Sequence, residues 1–316
     1  MRTLITGARG FVGRALVGAL AAREDGSIVA TDVMAGYSPV LPSVAWRTDR
    51  LDDPDALAEL MAVPYDRIIH LATVAGVGSA QFDIGRATNL IATQNLLEAA
   101  RRSGKPPRFI YASSVGVFGS PLPAMIDDET LPVPTTSYGT HKLIGELLVS
   151  DYARAGLVDG LALRLPGIVA RPRGSTTMLS AFLSDLFHAA CNGEPFTIPL
   201  APDDATWTMS LSCLIDNLLT ALDLPANALP PRRYWTLPAL FVRMDALVTA
   251  LTNVYGTQRT DRIAYAPDPA VQAMFAQVPL SAPGAERLGL KGDGNADRLV
   301  RNVIASDTSL MPGSKA

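Results

Sequence analysis

Residues 2–20, RTLITGARGFVGRALVGAL, pass from a short apolar run through three glycines into apolar residues at helical spacing. RTLIT predicts a buried strand, and Phe11 to Leu20 predict a helix. Between them Gly7, Gly10 and Gly13 stand in the spaced pattern TGxxGxxG, which fits a dinucleotide-binding turn. Gly7 makes the tight turn, Gly10 lets the backbone approach a pyrophosphate, and Gly13 permits close helix packing. The N-terminus of the helix, with Phe11 and Val12 in its first turn, favours the anion. A second apolar strand, SIVATD, ends at Asp32, where the fingerprint places a carboxylate to accept from a ribose diol.

Outward from this unit, strand and helix signals alternate. Pro54 to Met61 predict a short helix, RIIHLA (67–72) a strand, 86–103 a helix, RFIYASS (108–114) a strand and LALRL (161–165) another. Helices follow over 177–192 and 211–223. This order predicts an α/β protein with a doubly wound parallel sheet of the Rossmann type, wound by right-handed crossovers, and a smaller C-terminal substrate-binding region. Residues 1–166 with about 206–230 form the expected NAD-binding domain, and about 167–205 and 231–316 the substrate-binding region. After Pro230 and Pro231 the alternation weakens. PLPAMIDDETLPVPTTS and APDDATW read as surface loops, and the tail SDTSLMPGSKA as weakly ordered. His70, ending an apolar strand, reads as a packed core histidine.

SYGTHKLIGELL (137–148) sets Tyr138 and Lys142 four residues apart, on one face of the helix it predicts. A tyrosine titrates near ~10, so it is a base at neutral pH only where positive charge stabilises its phenolate, and Lys142 is placed to supply that charge. With 8 tyrosines and lysines only at 105, 142, 291 and 315, chance gives roughly 0.1 such pairs.

The chain of 316 residues is 48% hydrophobic and 18% charged, with net charge −3, which reads as globular and soluble. No basic run invites nucleic acid, no apolar run of membrane-spanning length occurs, and Cys191, Cys213, His70, His141 and His188 have no metal-site or disulfide spacing. The expectation is a cytoplasmic protein without metal, nucleic-acid or membrane partners.

TGARGFVG, Asp32, HLA (70–72), Asn89, SSVGVFG, YGTHK and LRLPGIVARP occur in order, and together they resemble the extended short-chain dehydrogenase/reductase superfamily over residues 1 to about 220. Within it, TTSYGTHKLIGELLVSDYARAGLVDGLALRLPGIVARP is most similar to the D-erythronate dehydrogenases, which oxidise the C2 hydroxyl of a small sugar acid with NAD. The resemblance implies Tyr138 as general base, Lys142 as its electrostatic partner and ribose ligand, and Ser114 as the hydroxyl that orients substrate. Counting back from Gly119 selects Ser114, with Ser113 the fallback. Leu71, Ala72, Asn89, Pro166 and Ile168 would line the cofactor channel. Arg50 stands where the family usually has an acidic adenine contact, with Asp49 one residue early, so adenine is expected at the backbone near Leu51. Phe118 replaces the tyrosine of the common VYG motif. DDATWTMS replaces a basic-aromatic segment that holds diphosphates in nucleotide-sugar epimerases, which favours a small substrate.

The implied chemistry is hydride transfer to NAD from a sugar acid, with Thr73, Ser114, Tyr138, Arg173 and Thr177 around the substrate. Arg173 is the candidate carboxylate clamp; Arg164 and Arg171 read as structural. Asp32 is expected to outweigh Arg9, an exposed and mobile loop arginine, and to select NAD over NADP. A nucleotide-sugar epimerase or dehydratase is the rival enzyme, and a non-catalytic NAD sensor the rival from another class. A homodimer through 86–103 and 137–154 is expected.

Overall fold

The computed structural model describes residues 1–76, 81–174 and 179–311. The chain divides into two compact units. The first comprises Met1–Gly119, Pro132–Leu165 and Leu218–Thr236; the second comprises Ser120–Leu131, Pro166–Asn217 and Leu237–Ala316.

In the first unit seven strands form one sheet: β1 (Arg2–Thr6), β2 (Ser27–Asp32), β3 (Val44–Thr48), β4 (Arg67–His70), β5 (Arg108–Ser114), β6 (Asp159–Leu165) and β7 (Tyr234–Thr236). Every pairing is parallel, in the order β7-β6-β5-β4-β1-β2-β3. The order reverses between β1 and β4, the switch point outside which open α/β sheets bind ligands. Helices α1 (Phe11–Ala22), α2 (Pro54–Leu60), α3 (Ala92–Arg102) and α4 (Ser137–Arg154) connect the strands. Neighbouring residues on a strand point to opposite faces, yet Leu4 and Ile5, Ile68 and Ile69, and Phe109 and Ile110 are all fully buried. Both faces are therefore covered, which is why these strands read as continuous apolar runs.

β1, β2 and β5 have the bounds that the sequence predicts, whereas β4 stops at His70. The predicted helix over 86–103 is composite: Phe82–Gly85 is a short α-helix, Arg86–Ile91 a π-helix, and α3 completes it. β3 and β7 carry weak signals. β3 is an edge strand with only partial burial, and β7 is three residues long behind the prolines.

The second unit has its own apolar core, which includes Phe182, Leu186, Phe187, Leu247, Leu251, Leu299 and Val300. Strand Ala205–Ser210 pairs in parallel with Gly167–Val169 and antiparallel with Leu240–Arg243. This corrects the reading of APDDATW as a surface loop, because Ala205 to Trp207 lie in a wholly buried strand. The tail is likewise anchored as far as it is described. Leu310 is buried in a short 3-10 helix, and its carbonyl accepts a 2.7 Å hydrogen bond from the Tyr255 hydroxyl.

Candidate active site

At Gly7 the backbone takes φ +67°, and a Cβ there would lie 2.7 Å from the Ala72 nitrogen and 2.9 Å from the Leu71 carbonyl carbon. The glycine turn thus meets the carboxyl end of β4 backbone to backbone. The Gly10 N–H donates to the Gly7 carbonyl at 3.1 Å, and Gly13 packs on that same carbonyl. Gly10 caps α1 with no side-chain hydrogen bond, so the N–H groups of Phe11, Val12 and Gly13 are not spent on a side-chain cap and face an N-terminus suited to an anion.

Asp32, at the end of β2, accepts from the Arg9 N–H at 2.9 Å and the Met34 N–H at 3.1 Å. An ionised carboxylate so held keeps acceptor capacity for a ribose diol. Glycine cradle, bare helix N-terminus and fixed carboxylate together fit a dinucleotide. The Arg9 side chain is partly buried and hydrogen-bonded, where the sequence reading has it exposed. Its Nη1 donates to the Arg47 carbonyl at 2.7 Å, its Nη2 to Ser38 Oγ at 3.1 Å, and its guanidinium lies 5.3 Å from the Trp46 ring centre. Strand β3, weak in sequence, is what holds it. Asp49 is also committed: it accepts from Thr31 Oγ1 at 2.8 Å and from Arg47 through two nitrogens. Burial pushes its carboxyl up, but Arg47 and Thr31 outweigh burial and hold it below the ordinary value. Arg50 is exposed and paired with Asp52, while Leu51 is buried.

Beyond β4, Asn89 fixes the connecting backbone. Its Oδ1 accepts from Thr73 Oγ1 at 2.9 Å and the Val74 N–H at 2.8 Å, and its Nδ2 donates to the Val74 carbonyl at 2.8 Å. The side chain, buried in the π-helix, is thus spent on shaping the Thr73–Val74 loop. His70 bridges Thr6 Oγ1 (2.7 Å) and Thr93 Oγ1 (2.9 Å), and burial first, then Lys142, lowers its pKa to about 3. It is a neutral core histidine.

β5 ends in two serines that face different surroundings. Ser113 is buried and donates to Glu146 Oε1 at 2.5 Å. Ser114 is half-buried, and its Oγ accepts the Gly116 N–H at 3.1 Å, which leaves its hydroxyl hydrogen to be donated elsewhere. A Cβ on Gly116 would lie 3.4 Å from Ser114 Oγ and 3.7 Å from the Tyr138 ring, so Ser114 and Tyr138 flank one glycine. Helix α4 starts at a Thr136 cap, whose Oγ1 accepts the Gly139 N–H at 3.1 Å, and it places Tyr138 in its first turn. Gly145 lets the helix approach β5, since a Cβ there would lie 2.5 Å from the Tyr111 hydroxyl. Lys142 is buried; its Nζ donates to the Ala112 carbonyl at 2.6 Å and lies 5.7 Å from the Tyr138 ring centre. Burial lowers its pKa to about 7, and Glu146 opposes the shift. Lys142 therefore reaches Tyr138 through its charge.

The remaining candidates belong to the second unit. Pro166 and Ile168 are buried, the latter in strand Gly167–Val169. Arg173 is exposed and paired with Glu194 at 2.5 Å. Thr177, with Ser175 and Thr176, lies outside the described residues. In the first unit Arg164, read from the sequence as structural, forms a buried ion pair at 2.8 Å with Glu146, which the sequence reading did not single out. Among the described residues no group of three or more His, Cys, Asp or Glu is placed to hold a metal ion, and no helix is long and apolar enough to cross a membrane.

Residues 3–204 match the model of the NAD dependent epimerase/dehydratase family. The chain belongs to that family. Among its relatives, the D-erythronate dehydrogenase of Cupriavidus necator is 35% identical, covering 95% of this chain and 97% of its own length. That of Haemophilus influenzae is 33% identical, covering 97% and 100%. The crystal structure of the nucleoside-diphosphate-sugar epimerase from Agrobacterium tumefaciens superposes with TM-score 0.91 at 29% identity, over 100% of this chain and 96% of its own. This member of the family is an oxidoreductase, and its cofactor is NAD.

Proposed function

We propose that the protein oxidises the C2 hydroxyl of D-erythronate, or of a closely similar small sugar acid, to the 2-oxo acid. The observation that carries this reading is the full-length similarity to two D-erythronate dehydrogenases, joined to the convergence of Ser114, Tyr138 and Lys142 at one carboxyl edge of the sheet. Gly7, Gly10, Phe11, Val12, Gly13, Asp32, Leu51, Leu71, Ala72, Asn89, Pro166 and Ile168 hold the cofactor in this reading, with Tyr138 and Lys142. Bound NAD supplies the hydride acceptor. Ser114 donates its hydroxyl hydrogen to the C2 oxygen and orients it. Tyr138, as phenolate, takes the C2 hydroxyl proton, and the buried ammonium of Lys142 stabilises that phenolate. Thr73 and Arg173 contact the rest of the substrate in this reading; Thr177, also expected there from the sequence, lies outside the described residues.

The deciding experiment is a screen for NADH formation against four- to six-carbon sugar acids alongside nucleotide sugars. The expected result is NADH accumulation with D-erythronate. Conversion of a nucleotide sugar without net NADH would replace this reading with an epimerase.

A cytoplasmic homodimer is also proposed. Phe82, Ile84 and Leu147, on the Phe82–Gly85 helix and α4, are 62%, 47% and 57% exposed, an apolar surface suited to a second copy. Light scattering at monomer mass would exclude it.

A further inference from the structure

We infer that Glu146 is a positioning residue that locks Ser114 and Lys142 into their working geometry, an inference that rests on the assignment of Ser114, Tyr138 and Lys142 given above. Glu146 is fully buried one turn beyond Lys142 in α4. Its carboxylate faces β5 and β6 rather than solvent. Oε1 accepts from Ser113 Oγ at 2.5 Å and from Arg164 Nε at 2.9 Å, and Oε2 accepts from Arg164 Nη2 at 2.8 Å. Ser113 and Arg164 are register partners across β5 and β6, so one carboxylate ties α4 to two adjacent strands at the level of the site. Ser113 sits between Ala112, whose carbonyl holds Lys142 Nζ at 2.6 Å, and Ser114, whose hydroxyl is the proposed substrate donor. Displacing Ser113 therefore shifts the anchor of Lys142 and the backbone of Ser114 together.

Arg164 is itself held between the Phe118 and Tyr234 rings, at 5.0 and 4.9 Å. A plain structural pair buried this deeply is usually no more stabilising than an apolar pair of the same volume. A third hydrogen bond to the residue beside Ser114 is what a positioning role requires and a packing role does not.

The carboxylate also sets the local field. The titratable and charged groups around Lys142 and Glu146 are Tyr138 and His141 on α4, Tyr111 on β5, Arg164 on β6, His70 on β4 and Tyr234 on β7. Against them stands the negative charge of Glu146 itself, which acts on Lys142 and favours the ammonium. Removing it lowers the affinity of both Lys142 and Tyr138 for protons, so both limbs of the activity profile move to lower pH.

The test compares Glu146→Gln, Ser113→Ala and Tyr138→Phe with the unaltered enzyme, by the pH profile of kcat, KM for the sugar acid and NAD affinity. Glu146→Gln is expected to lose tenfold or more in kcat and to shift both limbs by about one pH unit downward, with NAD affinity within threefold. Ser113→Ala keeps the charge, so it should lose severalfold in kcat with its limbs in place. A Glu146→Gln profile that superimposes on the original after scaling overturns the inference. If Glu146→Gln fails to fold, Ser113→Ala decides: unchanged kcat overturns the inference, and the expected loss supports it. Tyr138→Phe separates the two levels. Its inactivity beside fully active Glu146 and Ser113 variants sinks the inference alone, whereas a fully active Tyr138→Phe enzyme sinks the site assignment beneath it.

Discussion

The interiors of the two units are built from different chemistry. Arg67, Lys142 and Arg164, the buried cations among the described residues, all lie in the first unit, as do His70, Asn89 and Glu146. The core of the second unit is a cluster of Phe, Leu, Ile, Val, Ala and Met side chains with Cys191 and Tyr255. Its buried Asp293 has its oxygens satisfied by hydrogen bonds, accepting from the Ser210 N–H and hydroxyl at 2.8 and 2.6 Å and from Asn302 Nδ2 at 2.7 Å. Burying a cation costs stability, and burying apolar surface contributes it. The first unit accepts that cost at Lys142 on α4 and Arg164 on β6, where the proposed chemistry uses fixed charge, and at Arg67 on β4. The second unit has no such demand on its core.

Two substitutions of similar energetic size put this contrast to the strongest test. Tyr138→Phe removes one oxygen from a half-buried ring, so it is expected to lower turnover by about 10²–10⁴-fold, about 3–5 kcal/mol of barrier, with stability and NAD binding retained. Phe187→Ala empties part of the second core, where the ring is fully buried, and is expected to lower unfolding stability by about 3–5 kcal/mol. Steady-state kinetics and denaturant titration on both variants read the two effects separately. Near-normal turnover of Tyr138→Phe would remove the chemical reason for the charged interior.

Lys142→Met is expected to be inactive yet more stable, which sharpens the contrast by its sign. Burial takes the folded pKa to about 7, below the ordinary 10.5, so between those values the unfolded chain binds more protons than the folded one. Stability therefore rises with pH across that window, and the penalty of burying the charge is fully present at pH 7 and below. Methionine escapes the penalty but leaves the Ala112 carbonyl unpaired, for a net gain of roughly 2–4 kcal/mol at pH 6–7 that shrinks toward pH 10. Denaturant midpoints of the NAD-free proteins across pH check it. A gain independent of pH would mean that packing, not charge, separates the variants.

What the sequence made legible follows the same division. β1, the glycine turn and α4 are local: their signals are spacing within a dozen residues, and the structure forms β1 with the expected bounds, ends α1 two residues past Leu20, and starts α4 at Ser137 while carrying it on to Arg154. The partners of these elements are non-local and carry no spacing. Glu146 four residues after Lys142 looks like an exposed helical pair until β5 and β6 bring Ser113 and Arg164 to it. Asn89 is visible as a motif residue, but the bonds its amide makes to Thr73 and Val74 depend on a π-helix that no periodicity announces. Ser113 and Ser114 differ only by the alternation of a strand, which turns one toward Glu146 and leaves the other half-buried. In the second unit, Ala205–Ser210 was hidden behind proline and two aspartates, although its burial is complete.

Arg173 is where the contrast is narrowest, because it is a charge of the second unit that the proposed chemistry needs. A small sugar acid has little apolar surface, so its carboxylate must supply much of the orientation, and a guanidinium matches it bidentately. The arginine is 43% exposed and its pairing with the equally exposed Glu194 is of the kind that contributes only ~0–1 kcal/mol, so a substrate carboxylate can compete for it. Arg173→Ala is expected to raise KM for the sugar acid about tenfold, corresponding to ~1.4 kcal/mol, and to leave NAD affinity unchanged. Glu194→Gln provides the opposing arm: it frees the guanidinium from its competitor and should lower KM by a few-fold. Steady-state titration of the sugar acid at saturating NAD measures both. If neither variant moves KM, Arg173 is a solvated ion pair, and the carboxylate must instead be held by backbone N–H groups and hydroxyls around Ser114 and Thr73, which would return substrate recognition to the first unit.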